Sequence, residues 1–232
     1  MSHFRRDFDI RLDEDEYLRF HGEHFARLIR APARQAAFQE ALKEMRESMQ
    51  PAAAWESHPV KGFLHQSLLL ENGVRLGGGP VVEVMNGAEE LFAAVLTLGP
   101  EADRRIAHYQ KNREIFKALV LDELASWALD LARQQFCREL EAELALGGKR
   151  ASAPLSPGES TWPVSEQGKL FRLVDAGAIG VSLSPSMVMR PLKSLTLILG
   201  AGSGPLGVEG ATNCDFCTMK ERCAYRRRRP EA

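Results

Sequence analysis

The fold class turns on residues 179–200, IGVSLSPSMVMRPLKSLTLILG. Two short apolar runs, Ile179 to Leu183 and Ser194 to Leu199, flank a connection rich in serine and proline. Such residues favour turns over regular ladders, so the pattern predicts two strands joined by an irregular passage. In the second run Leu195, Leu197 and Leu199 fall on alternate positions. That is the period of a half-buried strand in an antiparallel sheet.

Upstream, the segments come in runs. Asp13 and Glu16 form an Asp-x-x-Glu start signal, in which the aspartate can accept an amide hydrogen bond from the first turn of a short helix through Tyr17 and Leu18. Pro32 opens a second helix, with Phe38, Leu42 and Met45 at helical spacing. From PAAAWESHPVKG the pattern changes. Two apolar runs surround Glu71-Asn72-Gly73, and Asn-Gly tolerates the positive φ of a tight turn, which predicts a hairpin with Val81 to Val84 as a possible third strand. Residues 86–99, NGAEELFAAVLTLG, end at Gly99-Pro100, a good helix stop. Phe116, Val120, Leu124, Ala128, Ala132, Phe136, Leu140 and Leu144 then recur every four residues along one long helix, ended by Gly147-Gly148. The ordinary reading of that stripe is core. A proline-, serine- and glycine-rich loop follows at 151–164, then a short helix at about Ser165 to Asp175. Helices and short strands that do not strictly alternate indicate an α+β domain. GAGSGPLG at 200–207 leads into no helix signal and reads as a linker rather than a phosphate loop. The expected division is a body at 1–200 and a linker with a cysteine-rich tail at 201–232.

Composition narrows the function. Among 232 residues, 30 basic side chains face 31 acidic ones, a formal charge of -1, so no global basic field draws the chain to nucleic acid or anionic lipid. No apolar run reaches the roughly 18 residues of a spanning helix. MSHFRRDFDIRLDEDE lacks the apolar stretch of a secretion signal, and the expected compartment is the cytoplasm.

Reducing cytosol disfavours structural disulfides, yet Cys214, Cys217 and Cys223 cluster in NCDFCTMKERC. Cys-x-x-Cys lets one turn present two thiolates to one metal, and a third soft ligand follows, so metal binding is the leading reading. Spacing does not separate an iron–sulfur cluster from zinc. Either needs a fourth ligand: Cys137, whose default reading is a buried inert thiol, a partner's group, or a histidine such as His21 or His24, more ordinarily surface or capping residues. Arg222 and Arg226 to Arg229 could complement a cluster's charge or dock on an acidic partner, though a terminal charge run is more often a solvated tail. A zinc knuckle beside arginines would suit single-stranded nucleic acid, but near-neutral charge and the lack of clustered exposed aromatics make that partner unlikely on sequence grounds.

The order LSPGESTWP…Q…LFRLVDAGAIGVSLSPSMVMRPLKSLTLILG at 155–200, preceded by VLTLGPEADRRI at 95–106 and LVLDELASWALDLA at 119–132, resembles the activation domain of cobalamin-dependent methionine synthase, and most closely its stand-alone relatives that accompany corrinoid methyltransferases. The similarity runs from about residue 8 to 200 and is carried mainly by Trp162 to Lys193. The resemblance implies a C-shaped α+β fold with a central antiparallel sheet and flanking helices, and a partner methyltransferase that carries cobalamin. It also implies reductive reactivation, in which inactive cob(II)alamin is reduced to cob(I)alamin and remethylated from S-adenosylmethionine. The family holds the methionine end of that cofactor with Arg-x-x-x-Gly-Tyr. Laid on this chain, the motif falls at 154–159, with Ser156 and Gly158 facing the cofactor, but Pro154 replaces the arginine and Glu159 the tyrosine. A bidentate carboxylate clamp is thereby lost and a repelling charge gained. Asp130 is the counterpart of the family's acidic residue for the amino group. In some stand-alone relatives a C-terminal cysteine cluster ending in Cys-x-Tyr-Arg, like Cys223-Ala224-Tyr225-Arg226, holds iron–sulfur clusters that pass electrons to a corrinoid.

Overall fold

A computed structural model describes residues 2–159, 161–208, 213–217 and 221–222. Its centre is an antiparallel sheet in the order β4-β3-β2-β5-β9-β6, formed by β2 (Ala52–Leu64), β3 (Ser67–Leu70), β4 (Arg75–Gly77), β5 (Glu90–Thr97), β6 (Arg150–Ala151) and β9 (Ser194–Gly202). β1 (His3–Arg5) pairs with β2 at Ala53 to Trp55. A register shift between Val60 and Gly62 bends β2, so its first half pairs with β5 and its second with β3. A bulge of this kind increases local twist and curls the sheet. The predicted hairpin is present: β3 and β4 are joined at 71–74, where Gly73 takes φ 84° and Val74 N donates to Asn72 Oδ1 at 3.1 Å.

One face of the sheet is covered by four helices, α1 (Glu14–Leu28), α2 (Pro32–Ser48), α4 (Glu101–Lys111) and α5 (Ile115–Leu146). Their start signals work as read: Asp13 accepts from Glu16 N at 2.8 Å, and Pro32 sits in the first turn of α2. Phe38, Ala41, Leu42 and Met45 of α2 pack with the α5 stripe, of which Val120 through Leu144 are buried, against Ala94, Leu96, Leu197 and Leu199 of the sheet. A partly buried polar network joins three of these helices. Lys117 Nζ meets Glu40 at 2.5 Å and Glu44 at 3.6 Å, lies 4.2 Å from the centre of the Tyr109 ring, and Tyr109 donates to Glu44.

The opposite face is covered by shorter pieces: α3 (Val81–Met85), α6 (Gln167–Leu173), a single 3₁₀ turn at 176–179 and the loop through Trp162. A small hairpin of β7 (Ser182–Leu183) and β8 (Met189–Arg190) leads into β9. His58 ties β2 to this layer, its Nε2 lying 2.9 Å from Leu173 O.

Several expectations are corrected. Val81 to Val84 is helical, with Val84 N bonding Pro80 O at 2.9 Å, because Pro80 precedes a turn whose Val81, Val84 and Met85 all bury on one side. Residues 90–97 are a central strand rather than the helix that Gly99-Pro100 suggested; Leu91, Ala93 and Val95 face one layer while Ala94 and Leu96 face the other. Of Ile179 to Leu183 only Ser182 and Leu183 are strand, Ile179 being the last residue of a 3₁₀ turn. β9 is buried on both faces, not one, since Ile198 and Thr196 are as covered as Leu197. No helix among the described residues is long and apolar enough to cross a membrane.

Candidate functional site

β6 and the residues after it form the outer edge of the sheet. Ser152 N donates to Gly200 O at 2.8 Å, and Leu155 exchanges both backbone bonds with Ile198 at 3.0 and 2.8 Å, so the chain follows β9 until Pro154 and Leu155 and then turns out. The turn holds Ser156 and Gly158. Glu159 N bonds Ser156 O at 3.1 Å and Gly158 N bonds Trp162 O at 2.9 Å, while Gly158 takes φ 91°, a conformation costly for other residues. The turn is fixed from below by Trp162, which is 2% exposed. Gly79 lies so close that an added methyl would come within 2.7–2.8 Å of the Trp162 backbone and Cβ.

Asp130 lies on α5, and both of its carboxylate oxygens are engaged: Oδ1 accepts from Arg133 at 2.5 and 3.0 Å, and Oδ2 from Gln134 Nε2 at 2.7 Å. Burial works against the Arg133 charge, but Asp130, with contributions from Cys137 and Glu159, outweighs it and raises the guanidinium pKa. Arg133 thus senses both Asp130 and Glu159 of the turn. Sequence reading missed it; its only signal is a position three residues after Asp130 on the same helix.

Where the sequence resemblance put the methionine end of a cofactor, the residues do not fit its pattern. Pro154 carries no guanidinium, Glu159 brings a carboxylate, and Asp130 is already satisfied within its own helix. Arg150, four residues before Pro154, has no side-chain partner among the described residues and lines a neighbouring cavity of about 330 Å³ with Ser152, Gly207 and Phe216.

That cavity also locates the start of the cysteine segment. Residues 213–216 form a 3₁₀ turn, and Phe216 packs against the layer of α3 and α6. Cys217 follows, half-buried. The backbone of Cys214 belongs to the turn, whereas its side chain, Cys223 and Arg226 to Arg229 lie outside the described residues. Cys137 is buried in the helical layer, across the sheet from the layer that Phe216 joins. His21 is half-buried: its ring lies tilted against Tyr17 at 4.2 Å and packs on Phe25, its Nε2 has no partner among the described residues, and burial lowers its pKa despite nearby Glu123. The side chain of His24 lies outside the described residues. Among the described residues no three histidine, cysteine or acidic side chains stand close enough to share a metal.

No protein-family model matches the chain, and no curated protein matches it in sequence. In fold, a solved structure does. The chain is similar to the crystal structure of the MetH reactivation domain bound to AdoHcy, with a TM-score of 0.64 over 93% of this chain and 83% of that one, at 12% identity. The likeness is one of fold. It covers the curled antiparallel sheet and the helices that flank it, and it agrees with the architecture that the 155–200 stretch implied.

Proposed function

We propose that this protein reactivates a corrinoid-dependent methyltransferase by delivering an electron to the partner's cob(II)alamin through an iron–sulfur cluster held by Cys214, Cys217 and Cys223. The observation that carries this reading is the shared edge. The strand β6 leads into the Ser156–Gly158 turn, and residues 150–153 line one cavity together with Phe216 of the cysteine-bearing turn. An electron carrier in the tail and a groove for the acceptor would then sit on one side of the molecule. The fold of a methionine synthase reactivation domain, over nearly the whole chain, supports a corrinoid enzyme as partner.

A low-potential cluster supplies a single electron, and the role of this chain's residues is placement. Trp162 and Gly79 hold the 156–159 turn rigid, so whatever docks there meets a preset surface. S-adenosylmethionine would be a ligand of the same turn, and the neighbour's being bound to AdoHcy supports a ligand of that class. With Pro154 and Glu159 in the motif, its carboxylate would need another guanidinium, and Arg150, without a side-chain partner among the described residues, stands on that edge.

A second reading is favoured by those two substitutions. In it the protein is a non-enzymatic accessory subunit of the methyltransferase, and its tail holds structural zinc. The two separate in an anaerobic assay of cob(II)alamin reduction with an artificial donor. Cys217→Ser is expected to abolish the reductase activity and leave the circular dichroism of the body unchanged; a variant that reduces at the normal rate removes the electron-transfer role.

A further inference from the structure

A second cavity of about 330 Å³ lies on the helical face where α5 ends, and its Lys149 directly precedes Arg150 of that edge. His3, Trp55 and Phe92 wall it with aromatic rings, and Leu144 and Leu140 of the last α5 turns form its floor. The His3 and Trp55 rings are stacked at 5.4 Å, and Phe136 meets the Trp55 ring edge-on at 5.4 Å, so neighbouring rings brace the wall. Trp55 and Phe92 are nevertheless only half-buried, because α5 stops at Leu146 and the chain turns away at Gly147 before covering them.

The mouth is polar and unbalanced. Lys149 is held by Glu90 at 3.2 Å, whereas Glu143 has no partner among the described residues. One carboxylate beside exposed aromatic rings favours a cation, since ring faces and carboxylate attract positive charge together. A volume of this size lies at the lower end of small-molecule sites, which run from about 300 Å³. From this geometry we infer that the cavity is a binding site for a small amphiphile with a flat apolar body and an amine or quaternary ammonium head, the body against Trp55 and Phe92 and the head on Glu143. The site is independent of the corrinoid reading and shares no residue with it.

Two probes with one ring and opposite charge test this: phenethylamine and 3-phenylpropionate, titrated into the ¹⁵N-labelled full chain and followed by amide shifts. Phenethylamine is expected to shift Trp55, Phe92 and Glu143 saturably, and 3-phenylpropionate to bind about tenfold more weakly, the factor that about 1.4 kcal/mol of charge preference gives. Glu143→Gln, on the surface and neutral in its effect on folding, should erase that preference while leaving the ring-driven shifts; Trp55→Ala should remove both. The proposal fails if neither probe shifts these amides, if the shifts saturate elsewhere, or if Glu143→Gln leaves the tenfold ratio in place.

Discussion

The two faces of the sheet are built on different principles. On one, α2, α4 and α5 bury continuous apolar stripes and are joined by the Lys117, Glu40 and Glu44 network. On the other, α3 spans five residues and α6 seven, and order comes from close approaches such as Gly79 against Trp162. Stability of the first layer is spread over many side chains. The second layer has a buried cluster of its own but adds tight positions where no larger residue fits, and it carries the 156–159 turn of the candidate site.

The largest effect should come from the helical layer. Leu121 is fully buried there, and Leu121→Ala should cost about 3 kcal/mol in chemical denaturation, the usual cost of a core cavity, without moving the fluorescence of native Trp162. A loss under about 1 kcal/mol would mean the layer repacks freely. Gly79→Ala sharpens the contrast. Its Cβ meets backbone at 2.7 Å and its φ of 53° disfavours alanine, so a loss of about 2 kcal/mol is expected, accompanied by a near-ultraviolet change as Trp162 shifts. An unchanged spectrum with full stability would break the claim that this glycine fixes the turn.

The smallest effect is pH-dependent. Desolvation lowers the His21 pKa below the ordinary 6.5, so the folded state holds the neutral ring. The unfolded chain then binds more protons below 6.5, and stability falls as the pH drops from there towards the folded pKa, while nothing changes above it. His21→Phe should flatten that part of the curve relative to the parent; identical slopes below pH 6.5 would show that His21 does not contribute.

The contrast between faces also explains what could be read from residues. α5 was legible because its stripe repeats over eight positions that all face the core. β5 was not, because both of its faces are buried and its apolar run carries no alternation, leaving only Gly99-Pro100 to suggest a helix. α3 was misread because Val81, Val82 and Val84 favour strands locally, and the packing of one short turn overrode that preference. At the candidate site, the 156–159 turn and Asp130 could be named only through the family resemblance, whereas the charge influence of both Asp130 and Glu159 on Arg133 spans α5 and a loop distant in sequence. No local pattern encodes it.

The most direct test of the central claim is the visible spectrum, with iron, sulfide and zinc analysis, of protein purified without oxygen. The account predicts a brown protein with broad absorption near about 400 nm that bleaches on reduction and is lost in Cys217→Ser, as expected of a cysteine-ligated cluster. A colourless protein holding one zinc and no sulfide would contradict it and leave the tail a structural element of an accessory subunit.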